Sequence, residues 1–163
     1  MKKISARASF AGALCAITLM LVVIASLPSR ADGILARSGQ RVAFLGASVT
    51  QRGWNLPAGY VRLVQDGLAA NGVAITPIPA GVSGNTTTQM LARFQKDVLD
   101  KKPDWLVFCV GTNDVNRRDP IPIAQSEANI MSILNQSQQA RIKVMLMTTN
   151  TVGENLDNAH NRV

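Results

Sequence analysis

Two almost uninterrupted apolar runs constrain the fold of this chain more than any other feature. Val42-Ala43-Phe44-Leu45 and Trp105-Leu106-Val107-Phe108-Cys109-Val110 show no alternation of apolar and polar residues. Strands of this kind are covered on both faces, which is typical of a parallel sheet between two layers of helices. The runs end in Gly46-Ala47-Ser48 and Gly111-Thr112-Asn113-Asp114, so polar side chains follow directly on the predicted strands.

The chain beyond residue 40 predicts the element order β-α-β-α-β-α-β. Strands are predicted over 41–46, 73–78, 105–110 and 142–147. Helices are predicted over 60–71, over 86–100 and from the residue after Pro122 to about Gln139. Apolar residues at helical spacing, such as Leu91, Phe94 and Val98, indicate the inner faces of the helices. The segment from Ser48 to Gly59 is predicted to be a loop, and strand four is expected to be buried on both faces. We find no internal repeat and no linker, so the pattern predicts one α/β domain.

The N-terminal segment differs in composition from the rest of the chain. Three basic residues precede the apolar, uncharged stretch Phe10–Leu27, and Ser29-Arg30-Ala31 then places small residues where a signal peptidase reads. The pattern predicts a signal peptide over residues 1–31 and a secreted or periplasmic domain over residues 32–163. A retained N-terminal membrane anchor is the alternative, because the apolar stretch is long.

The charge of the chain is concentrated in this leader. Four of the 17 basic residues and none of the 10 acidic residues lie there, so 13 basic and 10 acidic residues remain, a net charge of +3. The remainder has no basic stripe interleaved with aromatic residues, and we therefore expect no nucleic-acid partner. Membrane contact is expected only through the leader if it is uncleaved, and the sequence leaves the oligomeric state open.

Few residues could hold a metal or an organic cofactor. Cys109 is the only cysteine outside the leader, and it lies in a predicted strand, where we expect it to pack in the core. His160 is the only histidine. A flavodoxin-like nucleotide binder is disfavoured because the first turn carries neither a Gly-x-Gly-x-x-Gly nor a Walker sequence. We expect no metal and no cofactor.

The loops that follow the strands carry the residues suited to chemistry. In a doubly wound parallel sheet these loops share the carboxyl edge, and a strand order of 2-1-3-4 would bring Ser48, Gly84 and Asn113 around the end of strand one. Ester hydrolysis needs a nucleophile and hydrogen-bond donors for the oxyanion that develops. A serine hydroxyl, a backbone N–H at a glycine and an asparagine amide are groups of these kinds. Turn geometry at Gly84 and capping by Asn113 are the alternatives.

The same residues carry a family resemblance. Gly46-Ala47-Ser48, Gly84-Asn85 and Gly111-Thr112-Asn113-Asp114 resemble the first three conserved blocks of the SGNH (GDSL-type) hydrolases, over residues 41 to about 157. The resemblance implies a flavodoxin-like three-layer α/β/α sandwich and an esterase or lipase-like activity on small-molecule or carbohydrate esters. It also implies an acyl-enzyme on Ser48 and an oxyanion hole from the Ser48 backbone, Gly84 and the Asn113 side chain. Asp114 is expected to brace its own loop.

The chain departs from the family pattern at two places. Ala47 replaces the usual aspartate, which is mainly a structural hydrogen-bonding residue in the family. The family's Asp-x-x-His block supplies the base and lies between a fifth strand and the final helix, and we expect these to lie beyond Val163. Asp157-Asn158-Ala159-His160 matches the bare spacing, but no predicted element follows to hold the imidazole, so we expect His160 to be a loop residue.

Two hypotheses about function follow from the family resemblance and from these departures. The chain is either a serine ester hydrolase or a catalytically inactive, truncated remnant that lacks the histidine base. Turnover of a small ester by the purified protein discriminates between them.

Overall fold

The computed structural model describes residues 33–115 and 118–148 of the 163. Within them, one parallel sheet has the order β2-β1-β3-β4. Its strands are β1 (Arg41–Gly46), β2 (Thr76–Gly81), β3 (Trp105–Cys109) and β4 (Lys143–Met147). The observed order is the 2-1-3-4 on which the site hypothesis depended, and the α/β fold class is confirmed. The carboxyl ends of β1 and β3 are therefore hydrogen-bonded neighbours.

The helices connect these strands. They are α1 (Ser48–Asn55), α2 (Tyr60–Ala70), α3 (Thr87–Asp97), the single turn α4 (Thr112–Val115) and α5 (Ile123–Gln139), and a 3₁₀ turn (Leu99–Lys101) follows α3. The predicted helices correspond to α2, α3 and α5. The prediction of a loop after Ser48 is wrong, because that segment forms α1. Local signals for α1 are weak, since its N-cap Ala47 offers no side-chain hydrogen bond and Gly53 lies inside it.

The second strand lies later in the chain than predicted. Residues 73–78 were expected to form it, with Pro77 and Pro79 interrupting, whereas the observed strand spans Thr76–Gly81 and contains both prolines. In the described sheet β2 pairs with β1 alone, so it is an edge strand. An edge strand tolerates proline because the missing N–H can face away from the neighbouring strand.

Most of the core lies on the face of the sheet covered by α3 and α5. The side chains of Phe94, Phe108 and Ile133 are fully buried there. This cluster of buried residues comprises Ala43, Leu45, Ile78, Ala80, Met90, Phe94, Val98, Leu106, Phe108, Val110, Ile133 and Ile142. Because α3 contributes to this cluster and also leads out of the second loop, that loop is anchored directly on the core.

The opposite face has a smaller core. Val42 and Phe44 of β1 are buried together with Val61 of α2. An apolar groove of about 410 Å³ extends beside them to Met145 and Met147 of β4. Met145 is 54 % exposed, so the expectation that strand four is buried on both faces is wrong for the described residues. An apolar composition reports that a strand prefers burial, but not how much of it the neighbouring elements cover.

Two predicted inner faces are also only partly confirmed. On α2, Val61 is buried whereas Leu63 is exposed, and on α5 Ile133 is buried whereas Ile123 is exposed. No helix among residues 33–115 and 118–148 has both the length and the apolar composition needed to cross a bilayer. The predicted leader lies outside the described residues.

Candidate active site

Ser48 lies where β1 passes into α1, and it is half-buried. Glycines at two paired strand ends let α1 approach the sheet closely: Gly46 and Gly81 are register partners in β1 and β2. A Cβ at Gly46 would overlap the Thr50 hydroxyl, and one at Gly81 would overlap the backbone of Thr50 and Gln51. The two glycines therefore allow the first turn of α1, which carries Ser48, to cross the ends of these strands.

Thr50 supports this turn from below and was not singled out in the sequence. It is 1 % exposed, and its hydroxyl lies 3.0 Å from the Tyr60 hydroxyl. The Tyr60 ring packs edge-on against Phe44, with ring centroids 6.2 Å apart. Burial raises the pKa of Tyr60, and the hydrogen bond with Thr50 opposes this shift. The turn that carries Ser48 therefore packs against buried side chains and is not surrounded by solvent on this side.

Cys109 lies at the end of β3, beside the same turn. Its thiol is half-buried, and burial raises the pKa of the thiol while a hydrogen bond with Thr50 acts in the opposite sense. A raised pKa disfavours the thiolate, which is the nucleophilic form. The position agrees with the expected packing role better than with a reactive one.

Ser48 and Asn113 line one small cavity of about 30 Å³ at the carboxyl edge of the sheet. The neighbouring ends of β1 and β3 bring these two residues together from positions 65 apart in the sequence. Asn85 and Cys109 line the same cavity, whereas Gly84 is not among its lining residues. A hydroxyl and an amide thus share one cavity, with the second loop at its border.

The second loop turns through Gly84. This residue is exposed and has a φ of +79°, a conformation that strongly favours glycine. No heavy atom lies within 4 Å of the position that a Cβ would take. The Val82 N–H donates to the Gly46 carbonyl at 3.1 Å, which ties the loop to the end of β1. Turn geometry alone explains the glycine, and the open space leaves its surroundings accessible.

Asn113 lies in α4, although its segment was predicted to be a loop. Its side-chain Nδ2 donates to the backbone carbonyl of Asn85 at 2.9 Å, so the third loop is joined to the second. An amide nitrogen carries two hydrogens, and this bond occupies one of them. The other hydrogen remains for a further acceptor.

A group of buried and partly buried polar residues, here called the Asp114 cluster, joins α4 to α3 and α5. It comprises Asp114, Thr87, Ser126 and Asn129. The Asp114 carboxylate accepts hydrogen bonds from the Thr87 N–H and the Ser126 hydroxyl, each at 2.8 Å, and Asn129 donates to the Thr87 hydroxyl at 3.1 Å. Asp114, Thr87 and Asn129 are 2 %, 0 % and 4 % exposed. Asp114 was expected to brace its own loop, and its carboxylate instead binds two other helices.

A second group, here called the Arg93 network, joins the first two loops and comprises Arg93, Gly46, Asn85 and Asp97. The Arg93 guanidinium donates to the Asn85 side-chain oxygen at 2.7 Å, to Asp97 at 2.9 Å and to the Gly46 carbonyl at 3.1 Å. The Arg93 side chain is 16 % exposed. Sequence reasoning missed this role, since an arginine four residues before an aspartate on a helix indicates only a surface ion pair.

Two candidate residues are not placed by the structure. His160, the candidate general base, and Asp157, which precedes it in the Asp-x-x-His spacing, lie outside the described residues. In the part of the chain that is described, no three His, Cys, Asp or Glu side chains come close enough together to hold a metal ion.

Two esterases of known name are similar to this chain in sequence. The chain is 30 % identical to an acetylxylan esterase of Geobacillus stearothermophilus over 131 residues, which covers 68 % of this chain and 60 % of the relative. It is also 30 % identical to the esterase TesA of Pseudomonas aeruginosa over 111 residues, covering 68 % of this chain and 54 % of TesA. The chain thus spans only about half to three fifths of the length of these relatives.

A solved structure of an acetylxylan esterase resembles the present fold. The acetylxylan esterase Axe2 of Geobacillus stearothermophilus superposes with a TM-score of 0.70 at 28 % identity, over 77 % of this chain and 67 % of Axe2. The model of the GDSL-like lipase/acylhydrolase family matches residues 44–162, nearly three quarters of the sequence. The chain belongs to the GDSL-like lipase/acylhydrolase family.

Proposed function

We propose that this protein is a serine ester hydrolase that works through an acyl-enzyme on Ser48. The observation that carries the proposal is the shared cavity of Ser48 and Asn113 at the ends of two hydrogen-bonded strands. Membership of a lipase and acylhydrolase family supports the same chemistry. A nucleophile and an amide donor lining one cavity are two of the groups that acyl transfer uses, beside a base.

In the proposed reaction the Ser48 hydroxyl oxygen attacks the ester carbonyl carbon and passes its proton to a base. The carbonyl oxygen then carries negative charge until the tetrahedral intermediate collapses, when the alcohol leaves with the proton. Water attacks the acyl-enzyme in the same way and releases the acid and free Ser48. Each step creates an oxyanion, so stabilising that charge accelerates both halves of the reaction.

The oxyanion hole is proposed to consist of the backbone N–H groups of Ser48 and Gly84 and the Asn113 side chain. The bond from Asn113 Nδ2 to the Asn85 carbonyl supports this assignment, because it orients the amide and leaves its second hydrogen unused by that bond. The open surroundings of Gly84 are compatible with an approaching ligand oxygen. Loss of one such donor typically costs about 3 kcal/mol of transition-state stabilisation.

Acetyl esters of carbohydrates are the proposed substrate class. Relatives named as acetylxylan esterases support an acetyl group on a sugar, whereas TesA is named only as an esterase. The cavity beside Ser48 is about 30 Å³, which suits a two-carbon acyl group better than a long chain. We expect hydrolysis of aryl acetates to exceed that of aryl octanoates.

The base and the fate of the leader complete the proposal. His160, with Asp157, is the candidate base within this sequence, and an inactive protein without a held base is the alternative. Residues 1–31 are proposed to be a signal peptide and residues 32–163 an SGNH-type domain that is secreted or periplasmic. Mass spectrometry of protein exported by a bacterial host tests this proposal: a mature chain starting at Asp32 supports it, and an intact leader favours an anchor.

The test of activity is hydrolysis of 4-nitrophenyl acetate and of acetylated xylooligosaccharides by the purified chain. We expect turnover that Ser48→Ala abolishes and Asn113→Ala lowers about 100-fold. Loss in His160→Ala would identify the base, and full activity there would exclude it. A folded wild-type protein without turnover would favour the inactive alternative.

A further inference from the structure

We propose that Arg93 is a positioning residue that holds the nucleophile turn and the oxyanion loop in register. The inference rests on the proposed function, because it assigns Arg93 a role in arranging that same site. Arg93 does not line the cavity of Ser48 and Asn113, so it is not a catalytic residue. It acts through the backbone and side-chain groups to which it donates.

The guanidinium joins two loops that are distant in the sequence. One of its nitrogens donates to the Gly46 carbonyl, two residues before Ser48, and another donates to the Asn85 side chain, next to Gly84. The planar, rigid fork of the guanidinium sets the distance between the Gly46 carbonyl and the Asn85 side-chain oxygen. The separation of the first and second loops is thereby coupled to one side chain.

The same connection reaches the third loop. Asn85 accepts from Arg93 through its side chain and from Asn113 through its backbone carbonyl. Displacing Asn85 therefore displaces the acceptor that orients the Asn113 amide. All three proposed sources of oxyanion hydrogen bonds are linked in this way to Arg93.

The residue before Ser48 cannot itself hold the nucleophile turn by a side-chain hydrogen bond, so another residue must do so. Ala47 is the N-cap of α1 and forms no side-chain hydrogen bond to the helix. Its methyl group cannot form a hydrogen bond with either neighbouring loop, so the hydrogen bonds that hold the turn come from other residues. Arg93 supplies it at the adjacent Gly46 carbonyl, and Asp97 holds the guanidinium from its other side at 2.9 Å.

The first experiment measures positioning independently of activity, by hydrogen–deuterium exchange of the full chain. We expect Arg93→Met to accelerate amide exchange several-fold in peptides that contain residues 46–50 and 82–86, with unchanged exchange in β3. Lys96→Met is the matched control, since it removes a positive charge from the exposed side of the same helix. Exchange in these peptides equal to that of the wild type would overturn the inference.

The second experiment measures 4-nitrophenyl acetate hydrolysis by the same variants. Arg93→Met is expected to lower kcat about 10- to 100-fold with a KM within about twofold, because misplaced donors stabilise the transition state less. Arg93→Lys should lose most of this activity too, since an ammonium cannot span both acceptors. Millimolar guanidinium should partly restore Arg93→Ala and leave Lys96→Met unchanged.

The outcomes separate this inference from the proposed function. Wild-type turnover with undiminished kcat in Arg93→Met refutes the positioning role but leaves the esterase proposal intact. No wild-type turnover refutes the esterase proposal, and the exchange data still decide whether Arg93 orders the loops. If Arg93→Met does not fold, Arg93→Lys provides the same two comparisons.

Discussion

The Asp114 cluster and the Arg93 network both hold segments around the candidate site, but they do so in different surroundings. The Asp114 carboxylate is 2 % exposed and binds groups on α3 and α5. The Arg93 side chain is 16 % exposed, and its partner Asp97 is 31 % exposed. Removing the hydrogen-bond partner of a buried polar group lowers the free energy of unfolding strongly. A partly exposed group can bind water instead, so the loss is smaller. The first support is therefore expected to determine stability, and the second to determine the geometry of the loops.

Removal of the buried carboxylate should have the largest effect. Asp114→Ala leaves the Thr87 N–H and the Ser126 hydroxyl without their acceptor, and we expect a loss of about 2–4 kcal/mol in the free energy of unfolding. Urea denaturation followed by circular dichroism measures it. Asp104→Ala is the control, since this exposed carboxylate also accepts a backbone N–H, from Arg41 at 2.7 Å. An equal loss of unfolding free energy in both variants would show that burial of the carboxylate does not determine its contribution to stability.

A double-mutant cycle tests the interior of the Asp114 cluster. Asn129→Leu removes the donor to the Thr87 hydroxyl and should destabilise the protein by about 1–2 kcal/mol. Thr87→Val should have a comparable effect alone. Because the double variant leaves neither group facing an absent partner, its loss should be smaller than the sum of the two. Strict additivity in denaturation experiments would show that the two side chains do not interact.

Salt should separate the two supports. Asp97→Asn removes the ion pair with Arg93, and we expect it to cost about 0.5 kcal/mol at low ionic strength and less in 0.5 M NaCl. The cost of Asp114→Ala should hardly change with salt, because its partners are uncharged and the carboxylate itself is buried. Thermal unfolding of both variants at two salt concentrations measures this. A salt-independent effect of Asp97→Asn would indicate that the Arg93 network is less accessible to solvent than its exposure suggests.

The smallest effect is expected from the layer under Ser48, at alkaline pH. Burial raises the pKa of both Tyr60 and Cys109, so in the folded state they stay protonated to higher pH than in the unfolded chain. The unfolded state therefore loses protons first, and stability should fall as pH rises above about 9 to 10, where unfolded thiols and phenols ionise. Tyr60→Phe with Cys109→Ala should flatten this decline. An unchanged pH profile in the double variant would assign the decline to other groups.

Much of the fold could be predicted because its signals are local. The continuous apolar runs identified β1 and β3, and helical spacing identified α2, α3 and α5. Helix α1 escaped prediction because packing, not propensity, stabilises it: Thr50 and Gly53 are buried, and a Cβ at Gly53 would overlap the Tyr60 ring. The coverage of β4 likewise depends on neighbouring elements rather than on its own residues.

The candidate site could be predicted only in part, for a related reason. Ser48 and Asn113 were identifiable because each follows a recognisable strand, and parallel neighbours expose their loops at one edge. Arg93 was not, because its bond to Gly46 joins residues 47 positions apart and its acceptor is a backbone carbonyl, which has no sequence signature. Asn129 was missed in the same way, since an asparagine in a helix usually indicates a solvent-exposed position.

The sequence by itself determined the α/β class, the family and the polar residues that follow the strands. These properties depend on hydrophobic periodicity and on short motifs, both of which are written in consecutive residues. Only the tertiary structure decided which groups orient those residues, namely Arg93 on the Gly46 carbonyl, Asp114 on α3 and α5, and the Asn85 carbonyl on Asn113. The physical reason is that hydrogen bonds depend on distance and direction between atoms, which the folded backbone sets and the order of residues does not display.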